Sequence, residues 1–103
     1  MEDIRPKAMI SQPMGGLSDQ EIEIVRNQAI GNLRTMGYQV VDTWFTEYQD
    51  TEHKNVPLFC LAKSLEAMSD VDLVYFVRGW RKARGCRIEY KAAKAYGIPC
   101  MKE

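Results

Sequence analysis

DLVYFV, residues 72–77, is almost uninterrupted apolar sequence. A strand with one wet face alternates apolar and polar residues. A run like this one belongs to a strand covered on both faces, as in a parallel sheet held between helices. The flanking segments agree. Upstream, KAMIS (Lys7–Ser11) reads as a short buried strand, and SDQE at 18–21 has the spacing of a capping box. Ile22, Val25, Ala29, Leu33 and Met36 then recur at helical spacing, and Gly37 is placed to end that helix in a left-handed conformation. QVVDTW, residues 39–44, reads as a second strand. Residues 45–56 are polar and irregular, with Phe45 and Tyr48 among charges. Pro57 suits the first turn of a second helix, whose apolar face is Leu58, Leu61, Leu65 and Met68. Downstream, 79–85 is a loop. A third helix is expected from about Cys86 to Tyr96, with Ile88, Ala92, Ala95 and Tyr96 inward, then Gly97 and a short strand at 98–101.

Strands alternating with helices of this length imply parallel pairing and right-handed crossovers. The expected architecture is therefore α/β: a three-layer, flavodoxin- or Rossmann-like sandwich. Its four-stranded parallel sheet has the order 2-1-3-4, with helices on both faces. Such a sheet binds ligands beyond the carboxyl ends of its strands, at the switch point between strands 1 and 3. The segments 11–17, 44–48 and 78–89 converge there.

The 103 residues suit one domain, 1–103, with residues 1–6 as a polar lead-in. No apolar run is long enough for a membrane span and no signal-peptide pattern opens the chain, so a membrane partner is not expected. Cys60, Cys86 and Cys100 are scattered and odd in number, which suits free thiols in the reducing cytoplasm. With His53 the only histidine, a His-based zinc site is not expected, and nothing in the sequence calls for a metal or an organic cofactor. Net charge is zero, yet seven of the fourteen basic residues fall between 78 and 94, opposed there only by Glu89. Lys91 and Lys94 read as a solvated helix face, whereas the loop arginines suit either solvent or an anionic ligand. Nucleic-acid binding is not expected, because charge is balanced overall and the basic cluster coincides with the small-molecule mouth.

Three stretches could carry chemistry. Ser11-Gln12-Pro13-Met14-Gly15-Gly16 joins strand 1 to helix 1; its glycines allow close backbone approach and the helix N-terminus favours an anion. It is neither a GxGxxG fingerprint nor a P-loop, and an ordinary glycine turn also explains it. Glu89 lies near the start of helix 3, beside its apolar stripe. A carboxylate there either complements the helix dipole or, held at a pocket mouth, attacks an electrophilic sugar carbon. Asp70 and Asp72 flank the start of strand 3, where turn and cap roles are usual. Asp72 opens that strand at the edge opposite the mouth, so a catalytic role needs a pocket reaching along the sheet or a neighbouring subunit. Cys86 at a helix N-terminus would gain acidity, but no histidine partner is near it in sequence. Trp44, Phe45, Tyr48 and Trp80 are aromatics beside the mouth, fit either to stack on a base or to form a subunit interface.

Taken together, Ser11-Gln-Pro-Met-Gly-Gly16, the Asp70-Val-Asp72-Leu-Val-Tyr75 strand, Gly79-Trp80, Arg84-Gly85, Glu89, Ala93 and Gly97 resemble the nucleoside 2-deoxyribosyltransferase superfamily. The pattern is closest to a small phage and bacterial branch reading S-x-P-M-x-G and G-W-x-x-x-R-G-x-x-x-E. The resemblance implies that Glu89 is a nucleophile at C1′ and that Asp72 assists at the base or sugar. It also implies that Ser11, Gln12, Pro13, Met14, Gly15 and Gly16 line the sugar or phosphate pocket, with Trp80, Arg84, Gly85 and Arg87 also at the substrate. It implies a homo-oligomer acting on a nucleoside or nucleotide. Arg87 stands where the enzymes carry glycine, and the chain is shorter than the transferases. A non-catalytic nucleotide-binding module and an NAD-type glycohydrolase are the other functions the same fold would serve.

Overall fold

The computed structural model describes residues 3–44 and 53–103. Four parallel strands, β1 (Lys7–Ser11), β2 (Gln39–Val41), β3 (Leu73–Phe76) and β4 (Cys100–Lys102), lie in the order β2-β1-β3-β4. Three helices alternate with them: α1 (Asp19–Thr35), α2 (Val56–Met68) and α3 (Arg84–Ala95). This is the three-layer architecture that the apolar run at 72–77 implies. Met9 pairs with Val74 and Ile10 with Tyr75 across the central strands.

Strand parity sorts the core into two halves. Leu73, Tyr75 and Val77 pack with Ala8 and Ile10 against Ala29 and Leu33 of α1. Met9, Val74 and Phe76 pack on the other face with Met68 of α2 and Cys86 and Ala93 of α3. Both faces of β3 are thus dry, and each large side chain fully buried there contributes about 1.5–3 kcal/mol. The capping box forms: Ser18 Oγ accepts the Glu21 N–H at 3.1 Å, and Glu21 Oε1 accepts the Ser18 N–H at 3.4 Å. Gly37 follows α1 at φ +94°, a conformation that a side chain would strain.

Several expected boundaries and faces shift. β2 stops at Val41 rather than 44, because Asp42 and Thr43 leave the ladder to hold a buried arginine, described below. α3 begins at Arg84, and its buried residues are Cys86, Glu89 and Ala93. Ile88 is 39% and Tyr96 85% exposed, so the inner stripe drawn through them is one phase out. Cys86 and Ala93 set the phase by packing with Phe76. α2 buries only Met68, while Leu58 is exposed. The 79–85 loop contains a 3₁₀ turn, Trp80–Lys82, entered through Gly79 at φ +90°. That turn folds Trp80 inward, its ring centroid 5.1 Å from Phe76 and 4.7 Å from Tyr90. Phe45 and Tyr48, expected at the mouth, lie outside the described residues.

Candidate functional site

An open cleft of about 1090 Å³ lies beyond the carboxyl ends of the strands. Its walls come from the loop after β1, the end of β2, and the leading turns of all three helices. This is where a 2-1-3-4 sheet diverges and leaves room for a ligand. α1 and α2 satisfy leading amides with side chains, since Ser18 accepts from Glu21 and Asn55 from Leu58. α3 does not. Its N-cap is Ala83, which offers no side-chain acceptor, so its first amides open on the cleft beside Arg84 and Lys82.

Glu89 projects from the second turn of α3 onto the cleft floor, 9% exposed. Burial pushes its carboxyl up to about 7, against smaller downward pulls from the Ser11 hydroxyl and the Arg26 guanidinium. Ser11 ends β1 on the same side of the sheet as Met9. Its hydroxyl favours the ionised carboxylate without closing a hydrogen bond: among the described residues, both Ser11 Oγ and Glu89 Oε2 are buried without a partner. Native interiors seldom leave such atoms unpaired, and here they sit together at the cleft floor, Glu89 on it and Ser11 beneath it. Cys86 lies beside them, and burial pushes its thiol up to about 11, the opposite of the acidity a nucleophile needs.

Beneath the α1 wall is a second buried charge that the sequence reading missed. Arg26 is 3% exposed. Its Nη2 donates to Asp42 Oδ1 at 2.9 Å and to Thr43 Oγ1 at 3.3 Å, and its Nη1 to Gln12 Oε1 at 3.5 Å. Gln12 in turn donates from Nε2 to the Ile22 carbonyl at 2.9 Å, and Thr43 Oγ1 to the Ile10 carbonyl at 3.2 Å. The network ties the loop after β1 to the end of β2 and places one cation near Glu89. A signal was present: Arg26 is four residues after Ile22 and three before Ala29, on the apolar stripe of α1, where a solvated cation has no place.

Of the expected site residues, Gln12, Met14, Gly15, Arg84, Gly85 and Glu89 line the cleft together. Ser11 lies under its floor, and Pro13 and Gly16 shape the loop without lining it. Three further expected residues lie outside this cleft. Trp80 is a core residue, held between Phe76 and Tyr90 by the 3₁₀ turn. Arg87 turns away from the cleft, its Nη1 donating to the Arg81 carbonyl at 3.0 Å. Asp72 sits at the amino-terminal edge of the sheet, where its Oδ2 accepts the Lys7 N–H at 2.9 Å and its own N–H meets the Lys7 carbonyl at 2.8 Å. Asp72 therefore registers β3 against β1 and does not join Glu89 in this cleft.

Residues 6–102 match the family described as a domain of unknown function (DUF4406). The chain belongs to that family. No curated protein and no solved structure matches it. Among the described residues, no helix is long and apolar enough to cross a membrane.

Proposed function

We propose that the chain is an N-glycosidic enzyme acting on a nucleoside or nucleotide, either a 2-deoxyribosyltransferase or a hydrolase. The observation that carries this reading is the Glu89 carboxyl, buried on the floor of a cleft at the switch point with Oε2 unpartnered among the described residues. In the reaction a Glu89 oxygen bonds to C1′ as the C1′–N bond breaks and its electron pair leaves with the base. The base takes its proton from solvent water at the open mouth. Water or a second base then displaces Glu89 from C1′. Positive charge growing on the sugar favours the ionised carboxylate, with Arg26 and Ser11 acting in the same direction. Turnover is expected to rise with pH through about 7 as Glu89 ionises.

The exposed rim residues Met14, Leu17, Leu58 and Ile88 support a homo-oligomer, in which a second copy covers the apolar mouth. A monomer in sedimentation at micromolar concentration would remove that part of the reading.

A second reading is a nucleotide-binding module without turnover. It is favoured by the position of Asp72, which leaves Glu89 without that aspartate beside it. Purified protein incubated with deoxynucleosides and their monophosphates, each with and without a second free base, separates the two. Base release or exchange that disappears in Glu89→Ala and Glu89→Gln supports the enzyme. Binding without turnover in wild type and Glu89→Gln alike selects the module.

A further inference from the structure

The expectation against nucleic acid rested on balanced overall charge and on the basic cluster coinciding with the cleft mouth; the charge balance stands, but the structure divides that cluster. Only Lys82 and Arg84 line the cleft. Arg84, Arg87, Lys91 and Lys94 fall at i, i+3, i+7 and i+10 of α3, one face of the helix, and all four are exposed. The row is about 15 Å long at 1.5 Å per residue. Among the described residues none of the four is in an ion pair. Glu89 is the only acidic residue between 73 and 102, and it is turned inward. The outer face of α3 is therefore purely cationic on a chain of zero net charge.

A solvated helix face ordinarily mixes signs, as α2 does where Lys63 and Glu66 stand 4.0 Å apart. The macrodipole does not account for the row either. It rewards Lys94 in the last turn but opposes Arg84 and Arg87 in the first, where no acidic residue and no side-chain cap offset them. Within the fold, Arg87 donates to the Arg81 carbonyl at 3.0 Å, and neither charge meets a carboxylate among the described residues, whereas a polyanion laid along α3 would meet all four.

The geometry points to the outer face of α3 as a docking surface for the phosphate backbone of a single-stranded polynucleotide, held by Arg84, Arg87, Lys91 and Lys94. A single strand fits because the cations form one narrow row. The row holds no Asn, Gln, Ser or Thr to read base edges, so contact is to phosphate and sequence-tolerant. The apolar side of α3 is packed on the sheet, which leaves this helix no face to insert into a lipid surface. This surface does not depend on turnover in the cleft.

The test is fluorescence anisotropy of a labelled mixed-sequence single strand of about 20 nucleotides, titrated at several salt concentrations from about 25 mM upward. Wild type is expected to bind with a log–log salt slope of about −3, the value for four phosphates neutralised on a single strand. Lys91→Gln/Lys94→Gln is expected to weaken binding at least about 10-fold at low salt and to cut the slope to about half. Arg34→Gln/Lys63→Gln, which removes the same charge elsewhere, is expected to bind like wild type; urea midpoints confirm that both variants fold. No binding at about 25 mM salt overturns the proposal. So does equal weakening by the two double variants, or preference for a duplex of the same sequence or for phosphatidylserine vesicles.

Discussion

Replacing Glu89 with Gln should stabilise the protein, and by an amount that depends on pH. The folded carboxyl titrates near 7 because burial penalises its charge, whereas the unfolded chain releases the proton near 4.5. A folded value raised above the unfolded one contributes stability that is complete at low pH and lost as pH rises through the folded value. Between about 4.5 and 7 the unfolded state has lost the proton and the folded state keeps it. Wild type should therefore lose about 1.4 kcal/mol per pH unit across that window. Above 7 both states are ionised and the loss levels off at about 3 kcal/mol. The Glu89→Gln protein has no such titration, and every other group cancels in the difference between the two proteins. Urea unfolding of both, followed by the fluorescence of Trp44 and Trp80 at pH 4, 5, 6, 7 and 8, reads the effect. The two stabilities should nearly coincide at pH 4 and diverge to a plateau by pH 8. A difference that is flat across this range would refute the reasoning, since the carboxyl would then be as well solvated folded as unfolded.

Arg26→Met removes the cation that favours the ionised carboxylate, so the same window should extend to higher pH in that background; an unmoved midpoint would show that Arg26 does not act on Glu89. Ser18→Ala removes the acceptor for the Glu21 amide and should cost about 1 kcal/mol. That lowers the melting temperature by roughly 4–8 °C while leaving the Glu89 titration in place. A thiol reagent at pH 8 should modify Cys60 and Cys100 in the native protein and reach Cys86 only on unfolding, since Cys86 is 3% exposed and its thiol is pushed up to about 11. Three equally fast thiols would contradict that packing.

The parts of the fold legible in the sequence are those where one local pattern admits one solution. The run at 72–77 has no polar face to give to water, so a sheet covered on both sides follows from it, and the site's position follows from the sheet. Ser18, Glu21 and Gly37 mark α1 by chemistry that acts within a turn or two. What the sequence hid depends on choices made at a distance. The phase of α3 is set by Cys86 and Ala93 packing with Phe76 from another part of the chain. Spacing within α3 suits Ile88 and Tyr96 inward as readily as it suits Glu89. Trp80 looked like a ligand aromatic because it follows a glycine in a basic loop; the left-handed Gly79 is what turns it back onto Phe76.

The two buried charges differ in how far the sequence betrays them. Arg26 is conspicuous once its helix is drawn, because Ile22 and Ala29 fix the buried side of α1 and a cation between them must find partners inside. Glu89 is not, because it stands at the boundary of its helix face. A boundary residue in the early turns of a helix is usually a solvated complement to the dipole. Inward rotation of α3 converts it into a largely desolvated carboxyl on the cleft floor, beside an uncapped helix start and a serine hydroxyl that is unpartnered among the described residues. The same rotation carries Arg87, Lys91 and Lys94 out to solvent on the far side. One packing decision, made by Cys86 and Ala93 against the sheet, thus places a carboxyl in the cleft and a cationic row outside it. Substituting Ala93 with a larger residue is expected to disturb both at once, raising the exposure of Glu89 and weakening any polyanion contact along α3, whereas changes confined to either charge set should leave the other intact.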